Sequence, residues 1–192
     1  DFFVNLNRAR EIGEGIRRLD PPVTWSVLGA HVRDVQRMDD EYLGFLQDSM
    51  LKGLLVGVES GSQRMIDRIQ KNFLLPELFE CNRRLGLFKI IPTYSFISGV
   101  PGETDEDIKQ TIDVMFRLRE DNPDAVVGNI KPFVCYPGTA FFEQVTREGF
   151  QSPARLEDWI DYVWGNYIDL EIPWVPRKRR YFLSWLYYYT VL

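Results

Sequence analysis

The sequence predicts an α/β fold, a partial parallel (β/α) barrel of the TIM type with about four βα units and a helical, aromatic-rich C-terminal tail. Apolar strand-like runs alternate with helix-like segments. The strands start near positions 23, 53, 91 and 126, at the spacing of about 30 residues or more that a βαβ unit needs. A complete eight-unit barrel typically needs about 250 residues, so a chain of 192 residues supplies part of a barrel or an open parallel sheet.

The first elements are two helices and two strands. Apolar residues at helical spacing predict a helix from about Val4 to Leu19, which Pro21-Pro22 ends. Alternating apolar residues predict a strand from Val23 to Val32, and Asp39 can cap the helix that follows. The continuous apolar run from Leu54 to Val58 is typical of a strand buried on both faces.

The same alternation continues to about residue 150. The predicted elements are, in order, helices at Ser62–Gln70 and Leu75–Leu85, a strand at Ile90–Ser98, a helix from Thr104 to about Arg119, a strand near Val126–Val134 and a helix at Thr139–Arg147. Beyond Phe150 the alternation is lost. We therefore divide the chain into a partial barrel over residues 1–150 and a C-terminal extension over residues 151–192.

The C-terminal extension is rich in aromatic residues, and two interpretations of it stay open. Its rings can cover the barrel or a missing domain. Alternatively, Arg177–Arg180 followed by Phe182, Trp185 and further apolar residues form an interfacial helix that makes peripheral contact with a membrane. The aromatic residues concerned are Trp159, Tyr162, Trp164, Tyr167, Trp174, Trp185 and Tyr187 to Tyr189.

Composition limits the classes of partner. The formal net charge of −5 argues against nucleic acid, because phosphate binding normally leaves a basic footprint. The sequence has neither a signal peptide nor an apolar run of about 18 residues, and its two cysteines fit a reducing cytoplasm. Because the chain opens without Met and stops in an apolar run, we expect it to be a fragment of a longer protein.

Glu59 is the first candidate site residue. It ends an apolar strand, so its carboxylate emerges at the C-terminal edge of the sheet and needs a partner. A ribose diol would satisfy it, and so would a salt bridge to Arg33 at the end of the neighbouring predicted strand.

Two further candidates follow Glu59. Lys71 can neutralise a ligand carboxylate, the alternative being an exposed lysine at a helix end. Ser62 can cap the next helix, where free backbone N–H groups could instead bind an anion.

A second polar junction follows the strand at Ile90–Ser98. Its residues Gly99 and Gly102 allow a flat ligand to approach the backbone closely. Ser95, Ile97 and Gly99 share one face of the strand, since side chains alternate. The acidic run after Thr104 is expected to be structural, as a helix cap and first turn.

Three residues with reactive side chains are predicted to have structural roles. Cys135 precedes a third junction, Tyr136-Pro137-Gly138-Thr139, and is expected to be inert filling, as is Cys81 on a helix. His31 is the only histidine, so the chain cannot build a two-histidine metal site, and we interpret it as a strand residue with no assigned role.

The three junctions together resemble the radical S-adenosylmethionine (radical SAM) superfamily, over about residues 1–150. The motifs are Val56–Gln63, Ser98–Thr104 and Tyr136–Thr139, in this order. The resemblance is greatest to the branch that carries an N-terminal cobalamin-binding domain. Asp1–Asn5 resembles the segment after that branch's second barrel strand.

The resemblance implies a (β/α)6 barrel whose N-terminal CxxxCxxC loop binds a [4Fe-4S] cluster, which reduces S-adenosylmethionine to a 5′-deoxyadenosyl radical. It also implies roles for seven residues near this cofactor. These are Glu59 and Ser95 near the ribose, Lys71 facing the methionine carboxylate, Ser60, Gly99 and the backbone near Tyr136 bordering the nucleoside, and Arg33 beside Glu59.

The sequence departs from the family pattern in two places. Related branches often have an acid where this chain has Ser95, and a single hydroxyl would hold the ribose less firmly. The cluster motif is absent, so we expect it within several tens of residues upstream of Asp1. This piece should not perform radical chemistry alone.

The predicted function is that of the C-terminal part of a radical SAM catalytic barrel, in a cobalamin-dependent enzyme that methylates or rearranges an unactivated carbon of a small molecule or lipid. The upstream part of the same polypeptide is its expected partner. Two alternatives stay open. One is a non-catalytic barrel that serves as a binding or interaction module, and the other is a radical SAM enzyme that modifies RNA.

Overall fold

The computed structural model describes residues 1–162, 168–169 and 172–189. Within them, four parallel strands form one sheet in the order β1-β2-β3-β4, and each strand pairs with the next along the chain. The strands are β1 (Trp25–Ala30), β2 (Leu51–Glu59), β3 (Ile91–Ser98) and β4 (Val126–Pro132). The predicted α/β partial barrel is therefore confirmed.

Helices connect and flank these strands. They are α1 (Leu6–Arg17), α2 (Val32–Arg37), α3 (Asp40–Asp48), α4 (Gln63–Arg68), α5 (Leu75–Leu87), α6 (Asp105–Asp121), α7 (Ala140–Arg147) and α8 (Arg177–Tyr189), with short 3-10 turns at Phe2–Val4 and Glu157–Asp161. The two predicted caps are confirmed, because the side chains of Asp39 and Thr104 accept backbone N–H groups at the starts of α3 and α6, and Thr139 caps α7 in the same way.

The predicted strand from Val23 to Val32 is wrong at its C-terminal end. β1 stops at Ala30, and His31 is the N-cap of α2 rather than a strand residue. The Nδ1 atom of His31 accepts the N–H of Arg33 at 3.2 Å, and the carboxylate of Asp34 accepts the N–H of His31 at 3.1 Å. This reciprocal capping satisfies backbone donors locally and so favours a helix over a longer strand.

The predicted burial of β2 on both faces is also wrong. Leu54, Val56 and Val58 are buried in the main core, whereas Leu55 and Gly57 on the other face are half-buried. In β3, alternate residues are half-buried in the same way. The sheet therefore has one face packed in the core and one face partly open.

Helix α6 packs directly on the junction between β2 and α4. A Cβ atom at Gly61 would lie 2.5 Å from the Cα of Thr111 and 2.6 Å from the carbonyl oxygen of Gln110. The N–H of Gly61 donates to Thr111 Oγ1 at 2.9 Å, and the hydroxyl of Ser60 lies 3.2 Å from the same oxygen. Only glycine allows this close approach of helix to junction.

The carboxylate of Asp107 on α6 joins three segments. It accepts the hydroxyl of Ser62 at 2.6 Å and both the N–H and the hydroxyl of Thr104, at 2.7 and 2.6 Å, and it pairs with Arg64 of α4. Burial opposes its ionisation, but the hydrogen bonds from Arg64, Ser62 and Thr104 lower the pKa of Asp107 well below its ordinary value. The predicted cap by Ser62 is wrong, since its hydroxyl serves Asp107 and leaves α4 without a side-chain cap.

The C-terminal extension packs back onto the barrel. Leu183 and Leu186 of α8 are buried, and the side-chain amide of Asn129 in β4 donates to the carbonyl of Tyr187 at 2.7 Å. Trp164 and Tyr167 lie outside the described residues. Among the described helices, none is long and apolar enough to cross a bilayer.

Gly61→Ala is expected to lower the free energy of unfolding by about 1 to 3 kcal/mol, because its methyl group would overlap the backbone of α6. Urea denaturation followed by circular dichroism measures the change. Gly15→Ala on α1 is the matched control, since no atom lies within 4 Å of its added Cβ, and it should be neutral or stabilising. Equal effects of the two substitutions would contradict the packing described for α6.

Asp107→Asn is expected to cost about 1 to 3 kcal/mol of stability at neutral pH, since it leaves buried donors without their charged acceptor. The pKa of Asp107 is lowered in the folded state, so its contribution is fully present above the ordinary value of 3.8 and declines as the pH falls below it. The variant should therefore lose less stability on acidification than the wild type. Asp113→Asn, at an exposed position on the same helix, is the control and should leave the stability at neutral pH unchanged.

Candidate functional site

The partly open face of the sheet carries the candidate site at the C-terminal ends of β2 and β3. Gly57 pairs in register with Ser95 of the neighbouring strand. Gly57, Glu59 and Ser95 are all half-buried, unlike the buried residues that alternate with them. The structure therefore brings the predicted residues Glu59 and Ser95 to neighbouring positions on one face.

Glu59 pairs with Lys71 rather than with Arg33. Glu59 Oε1 lies 2.9 Å from Lys71 Nζ, which also donates to the carbonyl of Gly57 at 3.3 Å. The side chains of Glu59 and Lys71 are 20% and 24% exposed, so the pair faces partly toward solvent. The two structural alternatives to ligand binding are thus wrong. Glu59 makes no salt bridge to Arg33, and Lys71 is not an exposed lysine at a helix end.

The backbone at Glu59 is unusual for a residue with a side chain. Its φ is 71°, in the left-handed region, and the pairing of β2 with β3 shifts register between Gly57 and Glu59. Such a bulge redirects a side chain, and non-glycine residues at positive φ concentrate at functional sites. Here it places the carboxylate of Glu59 back over Gly57.

Gly57 provides the space that the ion pair occupies. A Cβ atom at this position would lie 2.6 Å from Glu59 Oε1 and 3.1 Å from Lys71 Nζ. Any larger residue would therefore displace one or both charged groups. Gly57 is not among the predicted site residues, although a glycine within a strand, two residues before an acid, can mark the close approach of another group.

Arg33 lies in the first turn of α2 and not at the end of a strand. With Lys71 and Arg37 it lines a cleft of about 240 Å³, together with His31, Asp34, Asp1, Gln70 and Asn72. Arg37 is held by the carboxylate of Asp34 at 2.8 Å and by the carbonyl of Phe3 at 2.7 Å. The structure thus groups Arg33 with Lys71 but not with the carboxylate of Glu59.

His31 is part of the same cleft. Its pKa is lowered, first because burial disfavours the charged ring and then because Lys71 lies nearby. The ring also contacts Phe73 edge-on, with centroids 6.0 Å apart. A neutral imidazole explains why its Nδ1 can accept the N–H of Arg33.

Ser60 does not direct its side chain toward the open face. Its hydroxyl is buried, where it lies beside Thr111 and accepts the N–H of Ser62 at 3.1 Å. The N–H of Gly61 is also used, by Thr111. The predicted anion site therefore cannot use the N–H groups of Gly61 and Ser62, and Ser60 can reach a ligand only through its backbone.

The loop from Gly99 to Glu103 is fixed by bonds from other segments. Arg64 and Arg68 of α4 donate to the carbonyls of Gly102 and Pro101 at 3.0 and 2.8 Å. The indole N–H of Trp174 donates to the carbonyl of Gly99 at 2.8 Å, so the C-terminal extension reaches this strand tip. Gly99 has a φ of 85°, which favours glycine.

Glu103 closes the same loop from within. Its Oε2 atom accepts the hydroxyl of Ser98 and the N–H of Gly99, both at 2.6 Å. Burial raises the pKa of Glu103, although these two hydrogen bonds favour its charged form. The bond from Trp174 to Gly99 joins residues 75 apart and could not be found from sequence spacing.

Tyr136 follows β4 and contacts the C-terminal extension. Its ring stacks on Trp159 with centroids 6.0 Å apart, and its carbonyl accepts the hydroxyl of Thr139 at 2.9 Å. The side chain is 52% exposed. Tyr136 and Gly99 therefore lie at the tips of neighbouring strands, as predicted from the order of the junctions, and the extension contacts both.

The described residues do not provide a metal centre. No group of three or more His, Cys, Asp or Glu side chains among them could hold a metal ion. Cys81 and Cys135 are buried free thiols, and burial raises the pKa of Cys81 to about 12 and that of Cys135 above its ordinary value. Their prediction as inert filling agrees with this burial.

Comparison with curated proteins finds partial relatives, whereas no family model matches. The chain is 29% identical over 130 residues to the anaerobic magnesium-protoporphyrin IX monomethyl ester cyclase of Cereibacter sphaeroides, which covers 67% of this chain and 20% of that protein. It is 32% identical over 79 residues to the tRNA-2-methylthio-N(6)-dimethylallyladenosine synthase of Pelotomaculum thermopropionicum, over 39% of this chain and 17% of that protein. The chain thus spans a fifth or less of these relatives.

Solved structures share the fold. The radical SAM methyltransferase TsrM from Kitasatospora setae, solved with cobalamin and a [4Fe-4S] cluster, matches with a TM-score of 0.62 and 17% identity, over 80% of this chain and 31% of that chain. The cobalamin-dependent SAM radical enzyme OxsB, with aqua-cobalamin and S-adenosylmethionine bound, matches with a TM-score of 0.52 and 17% identity, over 74% of this chain and 20% of that chain.

At these identities the structural matches establish the fold. They agree with the resemblance that the three strand-to-helix junctions indicated. The chain therefore has an α/β partial-barrel fold similar to those of the cobalamin-dependent radical SAM enzymes TsrM and OxsB.

Proposed function

We propose that this chain is the C-terminal part of the catalytic barrel of a radical SAM enzyme and that its strand tips bind S-adenosylmethionine. The observation that carries the proposal is the Glu59–Lys71 pair, which lies over Gly57 beside Ser95 on the open face of the sheet. This pair presents a carboxylate and an ammonium group at one place. S-adenosylmethionine carries a ribose diol and an amino-acid carboxylate, which these two groups complement.

The free bonding capacity of the pair fits this ligand. Within the described part of the chain, Glu59 uses only its Oε1 atom, so Oε2 can accept ribose hydroxyls. Lys71 spends two of its three N–H donors on Glu59 and on the carbonyl of Gly57. The third donor is available to a ligand carboxylate, and the cation of Arg33 in the adjoining cleft adds positive potential.

The remaining predicted residues take lesser roles in the proposal. Ser95 adds one hydroxyl next to Gly57, and Gly99 and the backbone around Tyr136 border the nucleoside at the tips of β3 and β4. Ser60 contributes only through its backbone, since its hydroxyl is bonded within the junction. The division of the chain at residue 150 stays a prediction, and in this proposal the extension closes the β3 and β4 side of the site.

The described residues do not fit a [4Fe-4S] cluster, because they offer only two thiols, both buried and neither in a cluster motif. When bound, that cluster supplies the electron that cleaves S-adenosylmethionine. We therefore place its ligands in a CxxxCxxC loop upstream of Asp1, and any cobalamin in a separate domain. This piece alone should be inactive.

For the reaction we propose methylation or rearrangement of a small molecule or lipid. A methyltransferase and a ring-forming cyclase among the similar proteins support this class.

Modification of RNA is the second candidate, supported by the similarity to a tRNA-modifying synthase, although the net charge of −5 disfavours it. A cytoplasmic location also stays a proposal. An upstream sequence without the cluster motif would favour the non-catalytic binding module instead.

Glu59→Ala in the full-length protein is expected to weaken binding of S-adenosylmethionine by about tenfold or more, since it removes a charged acceptor of the ribose. Isothermal titration calorimetry measures the affinity. Glu11→Ala, an exposed glutamate on α1, is the matched control and should bind as the wild type does. Unchanged affinity of Glu59→Ala would remove Glu59 from the site.

Gly57→Ala tests the geometry of the pair without removing a charge. Its methyl group would displace the tips of two flexible side chains, so we expect weaker binding of S-adenosylmethionine with a small change in melting temperature. Gly15→Ala is again the control. Full affinity in Gly57→Ala would show that the position of the Glu59–Lys71 pair is irrelevant to the ligand.

A further inference from the structure

Helix α8 carries an outward-facing row of aromatic rings, which we call the aromatic stripe. It consists of Tyr181, Phe182, Trp185 and Tyr188, whose exposed fractions range from 45% to 60%. Residues three and four apart lie on one side of a helix, so these rings form a continuous surface about two turns long. The opposite side of α8, with Leu183 and Leu186, is buried.

Basic residues stand at one end of the aromatic stripe. The first turn of α8 is Arg177-Lys178-Arg179-Arg180, and the helix contains no acidic residue. Arg179 is used within the fold, by the carboxylate of Asp105 and the carbonyl of Glu103. Arg177 and Lys178 precede Tyr181 and Phe182 by one turn, so their charges lie on the same side as the rings.

A groove between α6 and α8 extends this surface. Its volume is about 610 Å³. Ile108, Ile112 and Phe182 give it apolar walls. Lys109 and Lys178 contribute cations to its lining, whose one carboxylate, Asp105, is paired with Arg179. The rings, the apolar groove and these cations together form an amphipathic face on a protein whose net charge is negative.

We propose that this face docks on the surface of an anionic lipid bilayer. Tyr and Trp rings prefer the bilayer interface because they are apolar in body and polar at the tip, and Lys and Arg bind anionic headgroups. A peripheral helix of this kind lies in the plane of the membrane without crossing it.

The arrangement favours a bilayer over a single-stranded nucleic acid. Nucleic-acid grooves combine stacking rings with cations that follow the phosphate backbone. Here the cations of α8 are confined to its first turn, and the rings continue beyond them without further charge. On a bilayer, the cations of the first turn would contact anionic headgroups, and the rings that follow would lie at the membrane interface.

Co-sedimentation of the full-length protein with vesicles tests the proposal. We expect binding to phosphatidylcholine vesicles that contain phosphatidylserine, weaker binding to phosphatidylcholine alone, and a decrease with added salt. Lys178→Gln should weaken binding to the anionic vesicles about fivefold, the equivalent of about 1 kcal/mol for one basic residue at such a surface. Trp185→Ser should also weaken it.

Two control variants distinguish the loss of this face from the general effect of removing an exposed charge or an exposed apolar side chain. Arg17→Gln removes an exposed charge from α1, and Leu87→Ser removes a 79% exposed apolar side chain from the end of α5. Both should bind vesicles as the wild type does. Circular dichroism melting of each variant checks that the fold is retained.

Several outcomes would overturn the proposal. These are no sedimentation of the wild type with anionic vesicles, equal binding to both vesicle types, or equal losses in the α8 and control variants. Binding of single-stranded RNA that Lys178→Gln and Trp185→Ser abolish, with no vesicle binding, would assign the face to nucleic acid. A dimer that the same two variants dissociate, again with no vesicle binding, would assign it to a second copy of the chain.

Discussion

The carboxylate of Asp107 is the interaction on which the arrangement of the strand tips depends. It bonds to Ser62 after β2, to Arg64 in α4 and to Thr104 at the start of α6. Arg64 in turn donates to the carbonyl of Gly102 in the next junction. One buried acid therefore fixes two successive strand-to-helix junctions relative to each other, and glycine at position 61 lets α6 come close enough for these bonds to form.

This constraint explains which polar groups remain available at the tips. The hydroxyls of Ser60 and Ser62 and the N–H groups of Gly61 and Ser62 are bonded within the junction or to α6, so they stabilise the fold and are not free for a ligand. The Glu59–Lys71 pair lies on the other side of the sheet and keeps bonding capacity. A partly exposed ion pair contributes at most about 1 kcal/mol to stability, which does not account for a glutamate held at positive φ over a glycine. The proposed binding of a polar ligand by this pair would account for the geometry.

Local chemistry made much of the fold predictable. Strand and helix alternation and the caps at Asp39 and Thr104 depend on neighbouring residues, and the structure contains them. The short helix α2 was missed because its cap is a histidine, an unusual residue for that role. Sequence spacing could not decide whether Arg33 or Lys71 pairs with Glu59. That choice depends on the path of the chain from α4 to Lys71, which only the structure shows. The bond of Trp174 to Gly99, across 75 residues, is a tertiary contact that no local pattern contains.

The central claim is that the tips of β2 and β3 hold the nucleoside and amino-acid ends of S-adenosylmethionine. A crystal structure of the full-length protein with S-adenosylhomocysteine bound tests it most directly. The account predicts ribose hydroxyls within hydrogen-bond distance of the Glu59 carboxylate and the ligand carboxylate beside Lys71. A nucleoside bound elsewhere, with the Glu59–Lys71 pair unchanged and in contact with solvent, would contradict it.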